Sequence, residues 1–326
     1  MLKRIIIAVV VILILSFIAA QGIFTGCRGQ AAEESLGSSA EQIVITDGAG
    51  EEVILEKSAE KIIVLAISAL EIIDALDAME LVVEVDNFSV TMGEPLAEGF
   101  EGVGDVYGLN VERIAELNPD ILIAMTFGPE DDYQKVEELG IEIYRVIDTK
   151  GIEGVYDEIA NISKIIGLED KGKELVSELK KGVDEIYNQV KDLSDEEKPR
   201  VFFEVCNDPL MSVGVDSYIN DVIEKSGGIS IVAEDNLTGW PLYSVETLIE
   251  KNPDIIIALT MGGLVVDPAV IKEDVRFSNI DAVINDKVYV VPDNPFSRPN
   301  QNLIKALQML SKAIHPEIFG DFEVIE

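Results

Sequence analysis

The chain is short of several residue types, and each shortage excludes something. It has one histidine, His315, and two cysteines, Cys27 and Cys206. A zinc- or manganese-type site needs several imidazole, thiolate or carboxylate ligands converging. A lone His near the C-terminal helix end reads as structural, which disfavours a bare-metal binder. Two cysteines make no disulfide framework. Cys206 ends an apolar strand with no His nearby in sequence, so it reads as a buried, inert thiol rather than a nucleophile. Basic residues number 25 against 61 acidic ones, a formal net charge of −36. Such a surface repels nucleic acid and anionic headgroups, both polyanions, so nucleic-acid binding is set aside. Gly102, Gly104 and Gly108 do not form a phosphate-cradling fingerprint.

What is present fits a folded protein: 48% hydrophobic and 26% charged residues over 326 positions, enough for two domains or one large α/β unit. Lys3 and Arg4 precede the apolar run Ile5 to Leu15, which continues weakly to Phe24. A basic start before an apolar stretch is a secretion signal. It meets Phe24-Thr25-Gly26-Cys27, which resembles a lipobox with Phe in place of the usual Leu. Residues 1–27 therefore read as a signal peptide with Cys27 as lipidation site. The alternative is an uncleaved anchor, since about 20 helical residues span the bilayer core. Either way the body is expected outside the cytoplasmic membrane, tethered to its outer face. Residues 28–42, rich in Gly, Ala, Ser and Glu, read as a flexible tether.

From Ile43 the pattern alternates. Residues 43–55 predict a hairpin around a Gly-containing turn. Strands are expected at 61–66, 81–85, 121–124, 141–146, 201–205, 255–259 and 288–291. Helices are expected at 69–76, where Ser68 and Glu71 read as a capping box, and at 111–117, 133–139, 153–166, 170–193, 218–225, 245–250 and 303–313. Strands alternating with helices give parallel βα units. The expected fold class is α/β, with two lobes, each a mainly parallel sheet flanked by helices, joined by one long rigid helix. The lobes are placed at 43–152 and 199–326, with a helical segment at 153–198.

An internal repeat supports that division. Leu109 to Ala124 and Tyr243 to Ala258 match at a constant offset, with Glu112 and Glu246, Asn118-Pro119-Asp120 and Asn252-Pro253-Asp254, and an apolar strand after each. Asn-Pro-Asp alone is a helix stop, because Pro cannot continue a helix. Each Glu falls in the first turn of its helix, where the dipole favours a carboxylate by roughly 0.3–1 kcal/mol. Two similar lobes leave a cleft, a preferred place for a ligand.

The ordered set of Asn110-Val111-Glu112-Arg113-Ile114, Asn118-Pro119-Asp120, Asp208-Pro209-Leu210, Gly227-Gly228, Lys287 to Pro292 and His315-Pro316-Glu317 resembles the helical-backbone class of ABC-importer binding proteins. That class serves iron–siderophores, haem and cobalamin, and the resemblance covers about Ile43 to Phe319. It implies an extracytoplasmic binding lipoprotein that captures a metal chelate between its lobes, with small closure, and delivers it to a permease dimer with its ATPase. It also implies that Glu112 and Glu246 dock on the permease, and that a monomer suffices. No catalytic residue and no cofactor are implied. Trp240, the only Trp, matches a ligand-contacting position in cobalamin-binding relatives, and Tyr107 is its approximate counterpart in the other lobe. Phe88 and Met261 follow strands at the ends where α/β sheets bind ligands. Arg298, a rare base, is placed to neutralise an anionic ligand. Two alternatives stay open: an oxyanion (molybdate or tungstate) binder of the same fold, and an enzyme with an interlobe active site.

Overall fold

The computed structural model describes residues 42–146, 151–260 and 268–325. The chain opens with an antiparallel hairpin, β1 (Ile43–Thr46) and β2 (Glu52–Leu55). Asp47 closes its turn, its carboxylate accepting from the Ala49 and Glu51 N–H groups, both at 2.9 Å. Ile45, Val53 and Leu55 are buried while Val44 and Ile54 face out, the period-2 pattern of a strand with one wet face.

In the first lobe β3 (Ile62–Val64) leads to α1 (Ile67–Ala75). Next, β4 (Val82–Val85) leads to α2 (Asn87–Met92) and a short hairpin, β5 (Gly104–Asp105) with β6 (Gly108–Leu109). The lobe continues through α3 (Val111–Leu117), β7 (Ile121–Ala124), α4 (Glu130–Glu138) and β8 (Glu142–Arg145). Two helices follow, α5 (Gly151–Ile165) and α6 (Glu169–Val190). The second lobe runs β9 (Arg200–Glu204), a hairpin of β10 (Cys206–Asn207) and β11 (Leu210–Met211), α7 (Tyr218–Lys225), β12 (Ile229–Ser230), α8 (Val245–Lys251) and β13 (Ile255–Leu259). It ends with α9 (Pro268–Lys272), α10 (Asp281–Ile284), β14 (Val288–Val291), α11 (Asn294–Ser297), α12 (Leu303–Ile314) and α13 (Pro316–Phe319).

The two sheets have the same topology. The first is ordered β4-β3-β7-β8 and the second β12-β9-β13-β14, all parallel. Each is therefore 2-1-3-4 in its own chain order, with its switch point between the first and third strands. The central strands are buried on both faces, as parallel strands covered by helices must be. Alternate residues divide between two cores. Ile62, Val64, Ile121 and Ile123, with Val201, Phe203, Ile255 and Ile257, join one continuous cluster with α1, α5, α7 and α12. Ile63 and Leu122 in the first sheet, and Phe202 and Ile256 in the second, belong to separate outer cores. The lobes thus share their inner core.

The long helix α6 has 22 residues, about 33 Å at 1.5 Å per residue. Its first turn is tied to the first lobe, where Lys171 Nζ donates to the Leu76 carbonyl at 2.8 Å. At its far end Val190 lies against Gly227 of the second lobe, where an added Cβ would come within 2.9 Å of it. It stops at Val190, not Leu193 as expected. Gly172 lets α6 approach α5 closely, since a Cβ there would fall 2.1 Å from Ser163 Oγ.

One local expectation is wrong. Ser68 does not cap α1, which starts at Ile67 with Ala66 as an N-cap lacking any side-chain bond. Ser68 and Glu71 are both buried. Among the described residues no helix is long and apolar enough to cross a membrane. The expected signal peptide, Cys27 and almost all of the tether lie outside the described residues.

Candidate functional site

The duplicated segment is held alike in both lobes. Asn110 and Ser244 cap α3 and α8, accepting from the Arg113 N–H at 3.0 Å and the Thr247 N–H at 3.2 Å. Asn118 and Asn252 end the helices in the left-handed region, at φ 48° and 45°, which Asn tolerates better than most residues. Asp120 then accepts from the N–H groups of Glu60 and Lys61, at 2.8 and 2.9 Å, just ahead of β3. Asp254 does the same for Arg200 at 2.8 Å, at the start of β9. Asn-Pro-Asp is thus a helix stop plus a clamp on the neighbouring strand, a role that the bare tripeptide does not reveal.

Because each three-residue link reverses the chain, α3 and α8 begin at the carboxyl edges of their sheets. Glu112 and Glu246 occupy their first turns and are both exposed. The Glu246 carboxylate accepts from Ser244 Oγ at 2.8 Å, and this bond, with its own backbone N–H, holds it below the usual carboxylate range.

The same edges carry the exposed rings. Among the described residues the exposed aromatic side chains are Phe88 (60%), Tyr107 (92%), Phe127 (61%) and Trp240 (50%). Phe88 stands in the first turn of α2, directly after β4. Asp86 caps that helix through the Ser89 N–H and hydroxyl, at 2.8 and 2.6 Å. Tyr107 is at the tip of the β5–β6 hairpin. Glu84 Oε1 grips the approach to that hairpin by accepting from the Glu101 and Gly102 N–H groups, both at 3.0 Å. Gly102 adopts φ 88° and leaves no room for a Cβ, which would come 2.4 Å from Asn87 Oδ1. Phe127 leaves the carboxyl end of β7. It was not singled out from the sequence, although its place between an apolar strand and Gly128-Pro129 was a usable signal.

Trp240 lies on a strip of chain paired with residues 212–215. Ser212 and Gly214 donate to the Pro241 and Gly239 carbonyls at 3.0 and 2.8 Å, and the Gly239 N–H donates to Asp216 at 2.7 Å. Gly214 is pressed to the Thr238 backbone, which a Cβ would meet at 2.5 Å. Met261 lies outside the described residues.

Arg298 follows α11 at the carboxyl edge of the second sheet, and the structure corrects its expected role as an available cation. Its guanidinium donates to Glu71 at 2.8 Å and to Glu94 at 3.1 Å, with a further close bond to Glu94. Glu71 also accepts from Asn294 at 3.1 Å, Asn302 at 3.2 Å and Asn300. Burial opposes the Arg298 charge, but the bonds to Glu94 and Glu71 outweigh it and keep the group above its ordinary range. Glu71 and Glu94 belong to the first lobe and the other four residues to the second, so this network joins the two carboxyl edges across the seam.

Glu204, buried at the end of β9, has its carboxyl pushed up, chiefly by burial. Cys206 is half-buried, not buried as expected, with Sγ 3.5 Å from the Asp208 carbonyl. His315 is buried, with Nε2 3.1 Å from the Gly227 carbonyl and Nδ1 2.9 Å from Glu317. A cavity of about 300 Å³ lies at the opposite edge of the second sheet, lined by Lys191, Lys198, Lys225 and Glu234 among others.

A model of the family described as periplasmic binding protein matches residues 62–295, so the chain belongs to that family. Within it, the chain is 31% identical to an uncharacterized ABC transporter substrate-binding lipoprotein, YvrC, of Bacillus subtilis, over 68% of this chain and 69% of that one. It is 24% identical to a cobalamin-binding protein of Halobacterium salinarum over 63% of this chain, spanning 56% of that relative's length. Among solved structures, a possible iron-binding (periplasmic solute-binding) protein of Staphylococcus epidermidis superposes with a TM-score of 0.67 at 28% identity. That match covers 79% of this chain and 99% of the other.

Proposed function

We propose that the chain is the extracytoplasmic solute-binding component of an ABC importer, and that it captures a metal chelate, such as an iron–siderophore, haem or cobalamin, between its lobes. The reading rests most on one observation: the exposed aromatics, Phe88, Tyr107, Phe127 and Trp240, all sit at the carboxyl edges of the two sheets. Open α/β sheets bind ligands outside those edges, near the switch point. Large apolar groups gathered at one edge of a fold mark ligand or partner sites, whereas singly scattered ones do not. The YvrC and Halobacterium relatives, named for substrate and cobalamin binding, support it.

In this reading Glu112 and Glu246 dock on the permease. Exposed carboxylates at matching places on two lobes suit a two-fold partner, and such pairs set orientation and on-rate more than raw affinity. Cys27 carries the lipid that tethers the chain. No chemical step is assigned to the protein.

A thermal-shift screen over ferric siderophores, haem, cobalamin and molybdate tests the ligand class. A ligand at 100 Kd adds about 2.7 kcal/mol to stability. A shift with a chelate supports the reading, whereas a shift with molybdate alone contradicts it. The double variant Glu112→Ala, Glu246→Ala is expected to abolish uptake with ligand affinity unchanged; lost affinity would refute the docking role.

A further inference from the structure

The charges at the carboxyl edges bear on the choice of chelate. The described segments that leave the carboxyl ends of β3, β4, β7, β9, β12 and β14, residues 65–71, 86–113, 125–132, 205–217, 236–246 and 292–302, contain two bases, Arg113 and Arg298, and the described chain after β13, residues 268–280, adds Lys272, paired with Asp286 at 2.5 Å, and Arg276. Arg113 lies 3.5 Å from Glu116. Arg298 is matched by two carboxylates, Glu71 and Glu94, with side chains 9% and 20% exposed beside its own 13%. Arg276 approaches the same rim, 3.5 Å from Asn207, and is held by Asp274, with Nε–O distances of 2.9 and 3.0 Å. Among the described residues each of these cations already has an anion, and Arg298 faces two carboxylates. The surface beyond is more acidic still, at −36 overall. Among the described residues a ligand with carboxylate or catecholate oxygens finds no unmatched cation and meets repulsion, since like charges brought together are costly. The exposed rings offer what a flat or cationic ligand needs: apolar contact, and π faces that attract cations.

We infer that the cleft takes a metal chelate without net negative charge, neutral or cationic, and that Glu71 and Glu94 set this preference by occupying Arg298. The inference rests on the interlobe reading of the site.

A matched pair of iron chelates tests it: a neutral ferric tris-hydroxamate and a trianionic ferric tris-catecholate, with neutral cyanocobalamin as a third probe. Binding to the full-length chain in mild detergent is measured by calorimetry at low and high salt, together with the variants Glu94→Gln and Trp240→Ala. At least one neutral chelate is expected to bind more than about tenfold tighter than the catecholate, with high salt narrowing the gap as repulsion is screened. Glu94→Gln is expected to raise catecholate affinity and leave the neutral affinity within about twofold, with unchanged circular dichroism, because Glu71 still holds Arg298. Catecholate binding as tight as that of the neutral chelates, or an unchanged ratio in Glu94→Gln, overturns the charge preference and leaves the cleft reading standing if Trp240→Ala still weakens binding. Failure of all three chelates to bind, or binding indifferent to Trp240→Ala, overturns the cleft reading itself and the inference with it.

Discussion

The two lobes were built on one plan and finished differently. Both have a 2-1-3-4 parallel sheet, a seven-residue helix ending in a left-handed Asn, and an Asp that clamps the strand beside it. Their carboxyl edges diverge. The first lobe presents Tyr107 on a hairpin and Phe88 on a capped helix, whereas the second presents Trp240 on a strip pressed against Gly214. The first supplies the buried acid of the seam and the second the base and amides that hold it. Framework residues serve the fold and stay matched; edge residues, which in the proposed reading face the ligand and the seam, do not.

Four substitutions sharpen that comparison. Glu71→Ala has the largest expected effect. Removing a buried, multiply bonded carboxylate leaves Arg298 with Glu94 alone and three amides without their acceptor, at a cost of about 3–5 kcal/mol. Denaturant unfolding checks this, and a cost under about 1 kcal/mol would mean the seam is held elsewhere. The clamps come next. Asp120→Ala and Asp254→Ala each lose charged hydrogen bonds worth about 1.5–3 kcal/mol apiece. Asp120 accepts from two backbone N–H groups and Asp254 from one, so Asp120→Ala is expected to be the more damaging; equal costs would show that the second bond adds nothing.

The smallest effect is expected from Glu204→Gln, which breaks a feature of the second lobe only. Burial raises the Glu204 carboxyl, so the native state holds its proton more tightly than the unfolded chain does. Its contribution to stability is then full below the unfolded value, near 4.3, and declines as pH rises toward the folded value. The variant should show a smaller loss of Tm than the parent on going from pH 4 to pH 7. An identical pH profile would contradict the burial argument.

The regular parts of the fold were legible because their patterns are local. The expected spans at 111–117, 121–124, 218–225, 255–259 and 288–291 match the observed elements to the residue, each marked by a cap, a Pro or a run of apolar residues. Glu71 was misread because Ser68 and Glu71 have capping-box spacing, while its real partners are more than 220 residues away. A Glu flanked by Leu70, Ile72 and Ile73 was itself a warning that the helix is buried all round. Arg298 was misread for the complementary reason: a rare base looks available until the acids folded against it are seen. Phe127 escaped notice because a loop ring has no periodicity to mark it.

The central claim, that a ligand is held by both carboxyl edges at once, is tested most directly through Trp240, the only tryptophan in the chain. Its fluorescence is followed as cyanocobalamin or a neutral ferric tris-hydroxamate is added to the parent and to a Phe88→Ala, Tyr107→Ala double variant, which alters only the opposite lobe. The account predicts saturable quenching for at least one chelate in the parent and an affinity at least about tenfold weaker in the variant, since each buried ring contributes on the order of 1 kcal/mol or more. Saturable quenching with the same affinity in both proteins would place the ligand on one lobe alone and contradict it.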